Sequence, residues 1–295
     1  TAPTMETTMP QDDNTTPTAI FLFAGEGAHS AGLDLSALYT SPTFAEVDTA
    51  IQKLFQVSAE AFLSAHLGDH SPPHSPVVTT AINILQAGLW KLWGRTCHAQ
   101  PRTHQHPFGT RPAPSRDACK PPDRACPHAC LLSDEPGYAL GHSVGEIGAA
   151  YVSGLLDIET ALRIAYENGV VAAALSGKMV HTTLPVNQLD RLPSSELHLA
   201  AVNHTVARPP AAPEFMVSVT LCGTPEAVAA WLAKDEGATE LKPTAPWHHV
   251  AYATTKEIKQ WGGPTATAVQ PSTASCVLIS SVTAKEETQI GTDHW

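Results

Sequence analysis

Ser143 stands in the run Gly141-His142-Ser143-Val144-Gly145-Glu146, and a serine with glycine two positions away on either side is a candidate nucleophile. Tyr138-Ala139-Leu140, just before, reads as the end of a buried strand. Val144, Ile147 and Tyr151, just after, recur at helical spacing. Between a strand and a helix, small residues at 141 and 145 let the chain turn tightly and hold a serine hydroxyl out at the top of a sheet. That turn also directs the first helical N–H groups, Val144's among them, at a developing oxyanion. The plainer reading is a strand-to-helix turn with a capping serine; strand and helix in place together favour the nucleophile.

The elements that must position this serine can be read in order. Thr18–Phe23 is a continuous apolar run, expected as a buried parallel strand, and it enters the glycine-rich turn Ala24-Gly25-Glu26-Gly27-Ala28-His29. Ser41-Pro42 predicts a helix start, continuing to about Phe55, and Val77–Trp93 predicts a long helix ending at Gly94. Asp157 is the expected cap of a helix with Ala161, Ile164, Ala165 and Val171 on its apolar face. From Met179 to Lys242 the expected order is strand (Met179–Leu184), short helix (Val186–Arg191), strand (Leu197–Asn203), strand (Met216–Cys222), helix (Thr224–Lys234), strand (Thr239–Lys242). That β-α-β-β-α-β order is ferredoxin-like. A helix over Val250–Trp261 and a strand over Cys276–Ser280 follow. The expected class is α/β: an α/β-hydrolase-like large subdomain with a parallel sheet (18–178 and 243–295), carrying an inserted ferredoxin-like small subdomain (179–242).

Composition narrows the function. Over 295 residues, 43% hydrophobic and 15% charged content fit a soluble globular enzyme. A formal charge of −11 argues against a nucleic-acid or anionic-membrane surface. No apolar run approaches the ~20 residues of a membrane span. Thr1–Thr18 is polar and Thr/Pro-rich, without a hydrophobic signal core, and residues 1–17 are expected to be a disordered linker. The chain begins at Thr1 rather than Met, so a piece of something larger is expected. Cys222 and Cys276 sit in apolar runs as core residues. From Ala99 to Gly137 the text is rich in Pro, Arg, His and Cys, without apolar periodicity, and reads as a disordered insertion or a stretch of unspliced coding sequence. Cys119, Cys126 and Cys130 with one of His104, His106 or His128 could hold zinc, but Cys-x6-Cys-x3-Cys matches no common zinc pattern, and no metal is assigned.

A Gly-x-Gly turn after the first strand, a GHSxGE elbow, an inserted ferredoxin-like segment and a late Pro-x-His together resemble the acyltransferase domain of polyketide and fatty-acid synthases, which includes the malonyl-CoA:acyl-carrier-protein transacylases. The similarity runs from about Ala19 to Trp295, interrupted by Ala99–Gly137, and is densest over Tyr138–Leu155. The closing Asp293-His294-Trp295 looks like the family's Tyr-Trp segment, so the C-terminal strand and helices of a full domain are expected to be missing. The resemblance implies ping-pong transfer in which Ser143 takes an acyl group from acyl-CoA and the phosphopantetheine thiol of an acyl carrier protein removes it. It implies His248 as general base, with His249 the alternative, and an oxyanion hole from the backbone N–H groups of Val144 and Glu26. It implies substrate contacts by His142, Asn168, Trp247 and Asn203, and no bound cofactor.

Three positions depart from the family pattern. Glu26 and His29 stand where the glycine-rich turn usually carries Gln, and a carboxylate beside a developing oxyanion is unfavourable unless it points away. Asn168 stands where extender-unit members carry the Arg that grips a malonyl carboxylate. A buried carboxylate without its partner costs about 3–5 kcal/mol, so either the acyl group is neutral, such as acetyl, or a shifted cation replaces the Arg. Ala245-Pro246-Trp247-His248 matches no usual selectivity signature. Two competitors remain: a thioester hydrolase with the same elbow, drawing its acid from Asp157, Asp190 or Asp235, and an inactive truncated domain. Expected partners are acyl-CoA, an acyl carrier protein and other synthase domains. No nucleic acid and no membrane are expected, and the expected compartment is the cytoplasm or an organelle stroma.

Overall fold

A computed structural model describes residues 20–29, 32–98, 137–192, 196–206, 215–249, 276–290 and 294. The apolar run at the start forms β1 (Ile20–Phe23), which pairs in parallel with β2 (Tyr138–Gly141), Ile20 opposite Tyr138 and Phe23 opposite Gly141. β2 pairs in parallel with β7 (Val277–Ile279), and β8 (Glu286–Glu287) closes the order β1-β2-β7-β8 antiparallel to β7. β1 departs from the expected buried strand. Phe23 faces the core, but Ile20 and Leu22 are exposed, because β1 is the outermost strand of this sheet and only one of its faces is covered among the described residues.

Helices bury that covered face. α1 (Phe44–Phe55) starts later than Ser41-Pro42 predicts, because the Ser41 Oγ donates to the Leu85 carbonyl at 2.9 Å instead of capping. α2 (Ala59–His66), absent from the expected order, is capped by the Ser58 Oγ, which accepts from the Ala61 N–H. α3 (Ser75–His98) runs past Gly94. One glycine costs a helix interior about 1 kcal/mol, and the stripe of Val77, Val78, Ala81, Ile84, Leu85 and Leu89 buried upstream outweighs it. α4 (Gly145–Val152) leaves the β2 turn, and α5 (Ile158–Ala173) begins at Asp157, whose Oδ1 accepts from the Thr160 N–H at 2.7 Å as expected. Ile51, Leu63, Ile84, Leu85, Ile147, Leu162, Ile164 and Leu278 are fully buried and form one core from α1, α2, α3, α4, α5 and β7.

A second sheet is antiparallel. β3 (Lys178–Pro185), β4 (Leu197–Val206), β5 (Met216–Gly223) and β6 (Thr239–Glu240) lie in the order β4-β5-β3-β6. The segment Val186–Arg191 is a 3-10 helix, and α6 (Pro225–Leu232) is capped by the Thr224 Oγ1. β6 stops short of Lys242. Val180, Leu184, Leu197, Val217, Val219, Leu221 and Val228 make a separate core beneath this sheet. The fold is thus α/β with one mainly parallel and one antiparallel sheet. The expected linker over 1–17, the insertion over 99–136 with its cysteines and the helix over Val250–Trp261 lie outside the described residues.

Candidate active site

Four close approaches shape the turn at the end of β2. The Phe23 carbonyl accepts from the His142 N–H at 3.0 Å, and the His142 carbonyl accepts from the Gly145 N–H at 2.9 Å. A Cβ on Gly145 would lie 2.5 Å from the Phe23 oxygen and 2.6 Å from the Ala24 oxygen, and one on Gly141 would strike the start of α4. Ser143, between them, has φ +54°, in the left-handed region that a non-glycine residue enters at a cost of about 1–3 kcal/mol. That strain lifts the hydroxyl off the sheet; Val144 follows as the residue from which α4 begins.

The turn aims the hydroxyl at an imidazole 105 residues later. Ser143 Oγ lies 2.8 Å from His248 Nε2, within proton-transfer reach. His248 also has a left-handed backbone, φ +62°. Although the residue is open to solvent, loss of water around the ring lowers its pKa, and neighbouring His142 lowers it further, so the imidazole is held neutral and able to accept. His249 turns elsewhere. Its ring meets His198 edge-on, centroids 4.2 Å apart, and its pKa too is lowered by burial and by that neighbour. Two of the three acids weighed for a Ser-His-acid triad are occupied: Asp157 caps α5, while Asp235 accepts from the Thr182 hydroxyl and the Gly237 N–H. The side chain of Asp190 lies outside the described residues.

The glycine-rich turn after β1 packs against the elbow, since a Cβ on Gly25 would sit 2.6 Å from the His142 oxygen and 2.7 Å from its Nδ1. Asn83 Nδ2 donates to the Ala24 carbonyl at 3.1 Å and ties the turn to α3. The carboxyl of Glu26 turns inward, its side chain only 6% exposed, beside His29 and His70. Burial pushes its pKa up to about 7, against the pull of Ser75, Gly27 and Thr79, which face it without completing hydrogen bonds. Near neutral pH this carboxyl is therefore about half protonated, which eases the conflict between a carboxylate and an oxyanion at this turn. Burial and the neighbouring His70 push His29 down to about 4.

Glu146 has a role that the sequence did not suggest. Only 2% exposed in the first turn of α4, it accepts on Oε1 from the Ser280 hydroxyl at 2.7 Å and pairs there with His294 Nε2 at 2.8 Å. On Oε2 it accepts from the Ser281 N–H at 2.9 Å and from the Ser281 hydroxyl. The carboxylate clamps the elbow helix to the end of β7. An acidic residue at the start of an otherwise apolar helix was the available signal, since a buried charge must find donors.

The remaining expected substrate residues are spread out. His142 and Trp247 flank Ser143 and His248 in the chain, His142 exposed and Trp247 half-buried. Asn168 is half-buried on α5, next to Gly169, which packs against the Pro73 backbone. Asn203 lies on β4, where its amide donates to the Thr220 hydroxyl at 3.2 Å and more weakly to that of Ser218.

No protein-family model matches the chain. A mycocerosic acid synthase-like polyketide synthase of Mycobacterium tuberculosis is 26% identical over 225 residues, which are 75% of this chain and 9% of that protein. Among solved structures, a loading acyltransferase from the avermectin modular polyketide synthase superposes with a TM-score of 0.61 at 22% identity, over 94% of this chain and 77% of that one. The malonyl CoA-acyl carrier protein transacylase of Burkholderia pseudomallei does so with a TM-score of 0.59 at 16% identity, over 92% and 80%. The chain therefore has the fold of polyketide-synthase acyltransferase domains and of malonyl-CoA:acyl-carrier-protein transacylases, and it resembles both. It spans less than a tenth of the length of the curated relatives it matches first. Among the described residues no helix is long and apolar enough to cross a membrane.

Proposed function

We propose that the chain is an acyltransferase that moves an acyl group from acyl-CoA to the phosphopantetheine thiol of an acyl carrier protein, within polyketide or fatty-acid biosynthesis. The carrying observation is the 2.8 Å approach of Ser143 Oγ to His248 Nε2 across a strained elbow. Ser143 Oγ attacks the thioester carbonyl as His248 Nε2 takes its proton. The N–H groups of Val144 and Glu26 stabilise the oxyanion. The tetrahedral adduct collapses, the CoA thiolate leaves, and His248 returns a proton to it. In the second half the carrier thiol gives its proton to His248 and attacks the ester carbonyl; the Ser143 alkoxide leaves and is reprotonated. No metal or bound cofactor takes part in these steps.

We read the antiparallel sheet, with strand order 4-1-3-2 in its own numbering, as a ferredoxin-like small subdomain set beside an α/β-hydrolase-like large one. The resemblance supports other synthase domains as neighbours and a cytoplasmic or stromal compartment. With Asn168 in place of the carboxylate-gripping Arg, a neutral acyl group is preferred over a malonyl one. Transfer is tested by supplying acyl-CoA with and without a pantetheinylated carrier. Acyl-carrier formation that outpaces hydrolysis is the expected result. Equal CoA release with and without carrier would instead make this a hydrolase.

A further inference from the structure

Glu26, His29 and His70 bring one carboxylate and two imidazoles together beside the oxyanion turn, each from a side chain more than nine-tenths buried. Their facing ligand atoms all lie within 4.8 Å of one another. His29 Nε2 is 4.0 Å and His70 Nδ1 is 3.8 Å from Glu26 Oε1, and the two rings lie 4.7 Å apart between centroids. Those separations are too long for hydrogen bonds. Both Glu26 oxygens, His29 Nε2 and His70 Nδ1 lack a hydrogen-bond partner among the described residues. Buried polar atoms without partners are rare, and four converging on one point call for something to occupy it. Zinc bonded to nitrogen and oxygen at about 2.0–2.2 Å holds its tetrahedral ligand atoms about 3.3–3.5 Å apart. To reach that spacing the cluster contracts by about half an ångström along each Glu26 pair and by no more than about 1.5 Å between the two imidazole nitrogens.

We propose that Glu26, His29 and His70 form a zinc site that ties the turn carrying the Glu26 N–H to the turn before α3. Two histidines and one glutamate are a known donor set for zinc, with a fourth position left for water. The surroundings set its terms. Asp69, exposed nearby, favours a cation, while Lys242 opposes one. The ligands must be an ionised carboxylate and two neutral imidazoles, so Glu26 gives up its proton as the metal enters. The Gly68 N–H donates to His29 Nδ1 at 3.2 Å, which leaves the imidazole proton on Nε2. Ligation through Nε2 moves that proton to Nδ1, and the Gly68 contact is given up.

The test uses the full chain, stripped with a chelator, titrated with zinc and desalted before the bound metal is counted by mass spectrometry. One zinc per chain is expected, with a rise in melting temperature that the chelator reverses. Cobalt(II) in its place gives visible absorption bands of a tetrahedral site. Glu26→Gln and His70→Gln are each expected to weaken zinc binding at least tenfold and to remove those bands. Their circular dichroism in chelator, matching the parent chain's, shows that the loss is one of ligands and not of fold. A parent chain that takes up no zinc overturns the site and leaves a hydrated polar cluster. So does zinc that persists in both variants, or zinc lost only when Cys119, Cys126 and Cys130 are replaced by serine. The count of bound zinc is independent of acyl transfer, so failure here leaves the proposed function standing.

Discussion

Ser143 and His248 both hold left-handed backbone angles, and at neither position does glycine relieve the strain. Strain of this kind survives where surrounding contacts over-determine it, and here it accompanies the 2.8 Å approach of Ser143 Oγ to His248 Nε2. Ser143→Ala is expected to abolish acyl-enzyme formation, and His248→Ala to slow it by about 10²–10⁴-fold. Because the neutral imidazole is the active form and the pKa of His248 is lowered, the acid limb of the acylation profile is expected below the ordinary histidine value of about 6.5. A limb above that value would contradict the desolvated environment. Glu26 gives a second pH effect, measured on metal-free protein. Its folded pKa of about 7 exceeds its ordinary value of 4.5, so the folded state binds more protons and stability falls as pH rises between those values. Glu26→Gln removes that slope, and its gain over the parent chain above pH 7 is of the order of 3 kcal/mol. Thermal melts across pH 4.5–8 measure it. Ser143 was legible because its glycines are local. Nothing local separates His248 from His249, and only the resemblance chose between them. His70 was not legible at all, since its meeting with Glu26 and His29 exists only in the folded chain.

Helices and turns carry the next level. Gly145→Ala sets a Cβ 2.5–2.6 Å from two backbone oxygens of the neighbouring turn, which cannot yield as a flexible side chain would. A loss of about 1–3 kcal/mol is expected from such overpacking, together with a fall in acylation as the elbow opens. Thermal denaturation and a single-turnover assay read the two effects. Glu146→Ala leaves the donors of Ser280 and Ser281 unmet beneath α4 and is expected to cost about 3–5 kcal/mol; unchanged melting would contradict the clamp. Caps with a local side-chain acceptor, such as Asp157 and Thr224, were readable because their hydrogen bonds reach only three residues along the chain. Ser41 carried the same signal and misled, since its hydroxyl bonds Leu85 instead, 44 residues away. α2 was missed because, at eight residues, it is too short for helical periodicity to stand out beside its neighbours.

At the scale of the molecule, the two sheets have separate cores, and His248 reaches Ser143 from the segment that follows β6. Apolar runs made most strands of both sheets legible, but not the short β8 nor the order in which the strands lie, which depends on pairings between distant segments. The one-sided burial of β1 was not legible either, since an apolar run looks the same in a central and in an outer strand. Under the proposed function Asn168 belongs to this scale too, since it stands on α5 where the resemblance expects a carboxylate-gripping Arg. Asn168→Arg is expected to raise the use of malonyl-CoA relative to acetyl-CoA at least tenfold, measured by competition between the two donors. The central claim is most directly met by intact-protein and peptide mass spectrometry after mixing the purified chain with acetyl-CoA, malonyl-CoA and longer acyl-CoA donors. The predicted result is a single acyl adduct on Ser143 that is absent from Ser143→Ala. No adduct with any donor, or an adduct that forms equally on another residue, would contradict the account.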